Sequence, residues 1–190
     1  MKFKLFVILA NFFFIIFAQA QGIMLPIDSA NKRVTYYEVV KLDSTQTQTQ
    51  IFLRAEKWID QNLKLTEIKP DSFKILATGS ITLTQQKGIL EKNAGTVTYD
   101  ALIESRNGRY RYIFTNFVYH KITQDRYGKK QSETKKPLED AKAAGWGKQW
   151  NRYKAIVNMR INSLINDMKI HLKQDELPVI KKIEKKSSDW

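Results

Sequence analysis

Asn107-Gly108 is the dipeptide best suited to a two-residue β-hairpin, because a type I′ turn needs positive φ at both central positions and these residues tolerate it. On either side lie stretches of alternating apolar and polar residues, Thr96–Arg106 and Arg109–Tyr119. With Arg106 opposite Arg109, Ile103 pairs with Tyr112, Ala101 with Phe114, Tyr99 with Asn116, and Val97 with Val118. These pairs make one apolar face. The other face then holds Glu104 opposite Arg111, Leu102 opposite Ile113, Asp100 opposite Thr115, Thr98 opposite Phe117, and Thr96 opposite Tyr119. Side chains alternate with period two, so a register set at the turn assigns a face to every residue of both strands.

The remaining patterns build outward from this hairpin. Residues 33–41 (RVTYYEVVK) are β-branched and aromatic and read as a strand. Thr49 is placed to cap a helix running to about Lys64, with Ile51, Phe52, Ala55, Trp58, Ile59 and Leu63 on one stripe. From Phe73 to Leu83 apolar and hydroxylic residues alternate around Gly79, which can mark a bulge within one strand or a turn between two. Residues 85–94 read as a polar loop, and residues 121–138, charged and without period, as a long connector. A final helix is expected from Gly147 to Leu172, where Trp150, Tyr153, Val157, Ile161, Leu164, Met168 and Leu172 recur at three and four spacing, flanked by Ile156 and Ile165. Strands followed by a terminal helix imply an α+β fold: a curved antiparallel sheet with two helices packed on one face. The expected organisation is a lead at 21–32, one domain at 33–172, and a charged, flexible tail at 173–190.

The first twenty residues stand apart. Lys2 and Lys4 precede an apolar run from Leu5 to Phe17 and the small-x-small triplet Ala18-Gln19-Ala20, the pattern of a secretory signal peptide cleaved after Ala20. The run is too short to span a bilayer. With no cysteine in the chain, a lipoprotein anchor, disulfides and thiolate chemistry are all excluded, so the product is expected to be soluble, periplasmic or secreted. The formal charge is +13, of which +2 lies in the signal segment and +7 in residues 121–172. A basic excess concentrated there suits anionic envelope polymers or lipid headgroups better than nucleic acid.

RVTYYEVV, the helix IFLRAEKWID, GSITL, the hairpin GTVTYDALIESRNGRYRYIFTNFVYH and a Trp-led final helix together resemble a family of exported bacteroidete proteins, domain of unknown function 4468. The resemblance covers roughly residues 33–172. It implies a TATA-binding-protein-like fold in the order strand, helix, four strands, helix. It supplies no activity, because its motifs are structural patterns.

No catalytic signature accompanies this architecture. His120 and His171 are the only histidines, and neither sits in a nucleophile elbow or a two-His metal motif. Asp100 and Glu104 share a strand face, but Glu104 faces Arg111 as an ordinary cross-strand pair. No enzyme, cofactor or metal is expected, and no nucleic-acid partner. The expected role is a binding module for an envelope protein or polysaccharide, with Leu102, Arg111, Ile113, Phe117 and Tyr119 as the contact surface. Trp146 and Trp150 are candidate aromatic anchors, for the final helix or for a sugar. The alternative is a carrier holding an apolar ligand between sheet and final helix, lined by Tyr99, Tyr112, Phe114, Val157 and Leu164.

Overall fold

A computed structural model of the chain describes residues 25–87, 90–124, 130–140 and 147–173. The signal segment, Trp146 and residues 174–190 of the tail lie outside the described residues. The elements run β1 (Tyr36–Lys41), α1 (Gln48–Asn62), β2 (Lys64–Lys69), β3 (Lys74–Lys87), β4 (Leu90–Arg106), β5 (Arg109–Gln124), β6 (Lys130–Pro137) and α2 (Gly147–Lys173), with a short 3-10 turn at Pro70–Ser72. All strand pairs are antiparallel, in the order β1-β5-β4-β3-β2. β6 joins the same side of β5 as β1, farther along it. The class is α+β as expected, but the sheet has six strands. β6 occupies residues read from sequence as a connector, and β2 occupies residues read as the end of the helix and a loop. Both are charged edge strands, whose stability comes from pairing with a neighbour and not from an apolar pattern of their own. Residues 85–87 and 90–94 likewise extend β3 and β4 instead of belonging to a polar loop.

The β4–β5 hairpin keeps its expected register from Arg106↔Arg109 through Asp100↔Thr115. Its turn differs: Gly108 has φ +65, but Asn107 is not in the positive-φ region, so it is not type I′. Tertiary bonds account for this. Asn107 Oδ1 accepts the backbone N–H of Gln48 at 2.8 Å, while Gly108 donates to the Gln46 carbonyl at 2.9 Å and accepts from Leu42 at 2.8 Å. The turn is thereby bound to the start of α1.

Past Thr115 the register slips. Thr98 pairs with Val118, Val97 with Tyr119 and Thr96 with His120. β5 holds one extra residue, a bulge at Asn116, whose φ of 58 lies in the left-handed region. Its side chain donates to Asp100 Oδ2 at 2.9 Å. The expected pairs Tyr99–Asn116, Val97–Val118, Thr98–Phe117 and Thr96–Tyr119 are therefore not formed. A one-residue slip turns every later side chain over. Phe117 and Tyr119 consequently face the core.

Gly79 makes neither a turn nor a bulge, since it pairs directly with Tyr99 inside an unbroken stretch of β3. It is glycine because the Tyr99 ring lies across it: a Cβ there would stand 2.1 Å from Tyr99 Cζ. The irregularity of this pairing falls instead at Leu83–Thr84, where β4 carries the extra residue Ala94 between Asn93 and Gly95.

Both helices pack on the inner face. α1 is capped by Thr47, not Thr49, through a capping box in which the Thr47 backbone N–H donates to Gln50 Oε1 at 2.9 Å while the Thr47 hydroxyl accepts from the Gln50 N–H. Its buried stripe is Ile51, Phe52, Ala55, Trp58 and Ile59, joined by Arg54. The Arg54 guanidinium donates from Nη1 to Gln46 Oε1 and to the Leu172 carbonyl, both at 3.0 Å, placing a cation at the negative end of α2. α2 buries Trp150, Tyr153, Val157, Ile161, Ile165, Met168 and Leu172. Trp58 Nε1 donates to Asp167 Oδ2 at 2.8 Å and ties the helices together. Before β1, Leu25 and Val34 are buried, so part of the lead joins the core.

The open face of the sheet as candidate functional site

Alternation along the strands leaves a second sheet face that no described helix covers. Two rows cross it. The first runs Tyr37, Ile113, Leu102, Leu76 by direct pairing across β1, β5, β4 and β3. The second runs Val39, Arg111, Glu104, Lys74, Lys69. An apolar ladder thus lies beside a charged one on the same face.

Glu104 organises the charged row. Its carboxylate is 7% exposed, accepts from Arg111 Nε at 2.7 Å, and has Arg106 at 3.6 Å and Lys74 at 4.0 Å. One anion among three cations leaves a surplus of positive charge, raised further by Arg109 at the hairpin base. A depression of about 230 Å³ opens here, between Tyr37, Val39, Arg109 and Arg111. A second hollow that Tyr37 also borders is lined by Ile27, Thr35, Ile113 and Thr115. Tyr37 is 56% exposed.

Of the contact residues expected from sequence, Leu102, Arg111 and Ile113 lie together on this open face. Phe117 and Tyr119 do not. They are 1% and 2% exposed because the Asn116 bulge turns them inward, where Phe117 stacks on Tyr99 and Tyr119 meets Trp150 and Tyr153. Tyr119 donates to the Ala94 carbonyl at 2.7 Å, and burial pushes its hydroxyl pKa up to about 12. Val118 and His120 take the outer positions, with His120 Nε2 3.0 Å from Thr98 Oγ1. The sequence reading overlooked Tyr37, Val39, Leu76, Arg106 and Arg109. The alternation in RVTYYEVVK already placed Tyr37 and Val39 on one face, but nothing local says which face is covered.

Trp150 is an anchor of α2 and offers no sugar-stacking surface. It is 1% exposed, donates to the Asp140 carbonyl at 2.7 Å, and meets Tyr119 edge to face. Under α2, the lining of the expected apolar cavity is interdigitated: Tyr99, Tyr112 and Phe114 touch ring to ring, and Val157 is fully buried in the same cluster. Beside them Glu38 accepts from Tyr112 at 2.7 Å and from Lys169 at 2.5 Å, and Tyr36 donates to Asn158 at 2.8 Å, so β1 is bonded to α2. The Lys169 ammonium, then the Tyr112 hydroxyl, hold the Glu38 carboxyl below its usual range. Among the described residues no cluster of three metal-ligating side chains occurs. Asp100 and Glu104 are each engaged separately, by Asn116 and by Arg111.

This geometry has relatives. Residues 36–120 match the family model described as a domain of unknown function (DUF4468) with TBP-like fold. Over that segment the chain is similar to the DUF4468 family. A TBP-like protein from Parabacteroides distasonis aligns with a TM-score of 0.61 at 14% identity, over 78% of this chain and 98% of its own. A DUF4468 family protein from Bacteroides ovatus aligns at 0.59 and 13% identity, over 80% and 94%. No curated protein matches the chain. At such identities the two structures share the fold with this chain, and function has to be argued from the site.

Proposed function

We propose that this chain is a non-enzymatic interaction module of the bacterial envelope, contacting a protein or polysaccharide through the open face of its sheet. The observation that carries the reading is the apolar ladder Tyr37-Ile113-Leu102-Leu76 set against surplus cations, on a face with no described cover. Export follows from the N-terminal Lys-apolar-Ala-Gln-Ala pattern, and the exposed cations Lys148, Arg152 and Arg160 of α2 add an anionic-surface contact within residues 121–172. The close packing beneath α2 favours this reading over a carrier of apolar cargo.

The test is the double variant Leu102→Ser, Ile113→Ser. Both side chains are half-buried on the outer face, so their loss leaves the inner core in place. In vivo crosslinking in the native envelope is expected to lose its adducts while the far-UV spectrum and melting transition persist. Unchanged adducts in a folded variant would reject the outer face as the contact surface.

A further inference from the structure

β1 has two edges, and among the described residues only one is used along its full length. Its even-numbered residues face β5: Tyr36, Glu38 and Val40 pair with Phe114, Tyr112 and Tyr110, and Leu42 donates to the Gly108 carbonyl at 2.8 Å. Main-chain groups alternate in direction along a strand, so the odd-numbered residues point theirs the other way. Arg33 and Thr35 bond in that direction. The Arg33 carbonyl accepts from Asp28, and Thr35 donates to the Pro26 carbonyl, both at 2.9 Å. Pro26 has no N–H to return to Thr35, and no described residue carries this short ladder further.

Tyr37, Val39 and Lys41 therefore present their N–H and C=O groups to an edge that no described residue covers, with Tyr37 and Val39 side chains 56% and 44% exposed. Edge strands are normally guarded by charge, proline or a bulge. β2, the opposite edge, is guarded in this way, with Lys64, Glu67, Lys69 and an irregularity between Leu65 and Glu67. The centre of β1 has no such guard on its outer face. At its C-terminal end stand Lys41, Arg109, Arg106 and Arg111, with Glu104 already occupied and Glu38 held by Lys169 on the other face.

We propose that β1 accepts a strand from a partner: an acidic extended peptide segment that pairs antiparallel with residues 37–41. A carboxylate opposite Lys41 would lie beside the Lys41 ammonium and one strand from Arg109, within the field of both cations, and apolar side chains opposite Val39 and Tyr37 would complete the ladder of the outer face. Main-chain hydrogen bonds supply affinity in this mode, and alternate side chains supply specificity. It adds to the outer-face reading a backbone contact that the face variants leave intact.

The probe is the synthetic peptide Asp-Asp-Thr-Val-Thr-Phe-Thr, titrated into the intact chain and followed by amide hydrogen exchange and fluorescence anisotropy. The Tyr37, Val39 and Lys41 amides are expected to exchange freely alone and at least about tenfold more slowly with peptide, as pairing protects them. N-methylation of the peptide's valine and phenylalanine, which removes donors without altering charge, is expected to weaken binding at least about tenfold. Arg109→Glu, or lysines in place of the peptide's aspartates, should weaken it comparably. Val39→Pro removes only an outward donor and is tolerated at an edge; should it misfold, the N-methylated peptide on the unaltered chain gives the same answer. Equal binding by the N-methylated peptide overturns the proposal. So does no binding of the parent peptide, or protection of the three amides before peptide is added, which would mean that a second copy or the chain itself fills the edge. If the peptide fails while the Leu102 and Ile113 variants still abolish crosslinking, strand addition falls and the outer-face module stands.

Discussion

At the scale of single residues, three positions set the geometry through backbone or close contact. Gly79 is required by the Tyr99 ring, so Gly79→Ala forces a core aromatic to move and is expected to cost about 1–3 kcal/mol by overpacking, measured by urea denaturation. Asn116 occupies the left-handed region. Asn116→Val, β-branched at positive φ, is expected to destabilise by about 1–3 kcal/mol, whereas Asn116→Gly should stay near wild type. A similar loss in both would mean that the Asp100 bond, and not the backbone, is what matters there. Arg54 is the third. It lies on the stripe of α1 that buries, bound to Gln46 and to the end of α2. A hydropathy pattern assigns such a residue to solvent, because only the position of the second helix shows that a carbonyl end awaits a cation.

Between elements, the join of β1 to α2 has a definite pH dependence. Glu38 is held below its usual carboxylate range, chiefly by the Lys169 hydrogen bond. A lowered folded-state pKa contributes stability that is present above the unfolded value, near 4.3, and lost as pH falls through the folded one. His171 adds to the same trend. Burial and the nearby Lys57 hold its pKa below the ordinary histidine value, so its neutral form is favoured and stability falls as pH drops below about 6.5. Thermal denaturation from pH 7 to pH 3 is expected to show a loss that His171→Gln flattens in its upper part and Glu38→Gln in its lower part. Unaltered pH profiles would show that neither group titrates differently on folding. The strong periodic elements, both helices and the hairpin, were legible from sequence because their apolar spacing repeats over several turns or pairs. β2 and β6 were not, since a charged edge strand carries no local pattern distinguishing it from a loop.

For the whole molecule, one cluster joins both helices to the inner face of the sheet, from Leu25 to Leu172. A single core implies a single cooperative transition. Tryptophan fluorescence and far-UV circular dichroism are expected to give the same urea midpoint, and separated midpoints would show that α2 comes away before the sheet. The asymmetry of this architecture, with helices on one side only among the described residues, is what creates a candidate contact face at all.

The sequence by itself determined the hairpin between β4 and β5, its register near the turn, the apolar stripes of the two helices and the α+β class, because each follows from periodicity or from the conformational needs of a dipeptide. It also carried the family resemblance that the match over residues 36–120 supports. Only the tertiary structure decided where that register ends. The Asn116 bulge, whose side chain bonds Asp100 across the ladder, moved Phe117 and Tyr119 from the expected contact surface into the core while leaving Leu102, Arg111 and Ile113 outside. Which edge of β1 the described residues leave uncovered was likewise beyond the sequence, since an edge's cover is a property of neighbours in space and not of the strand that presents it.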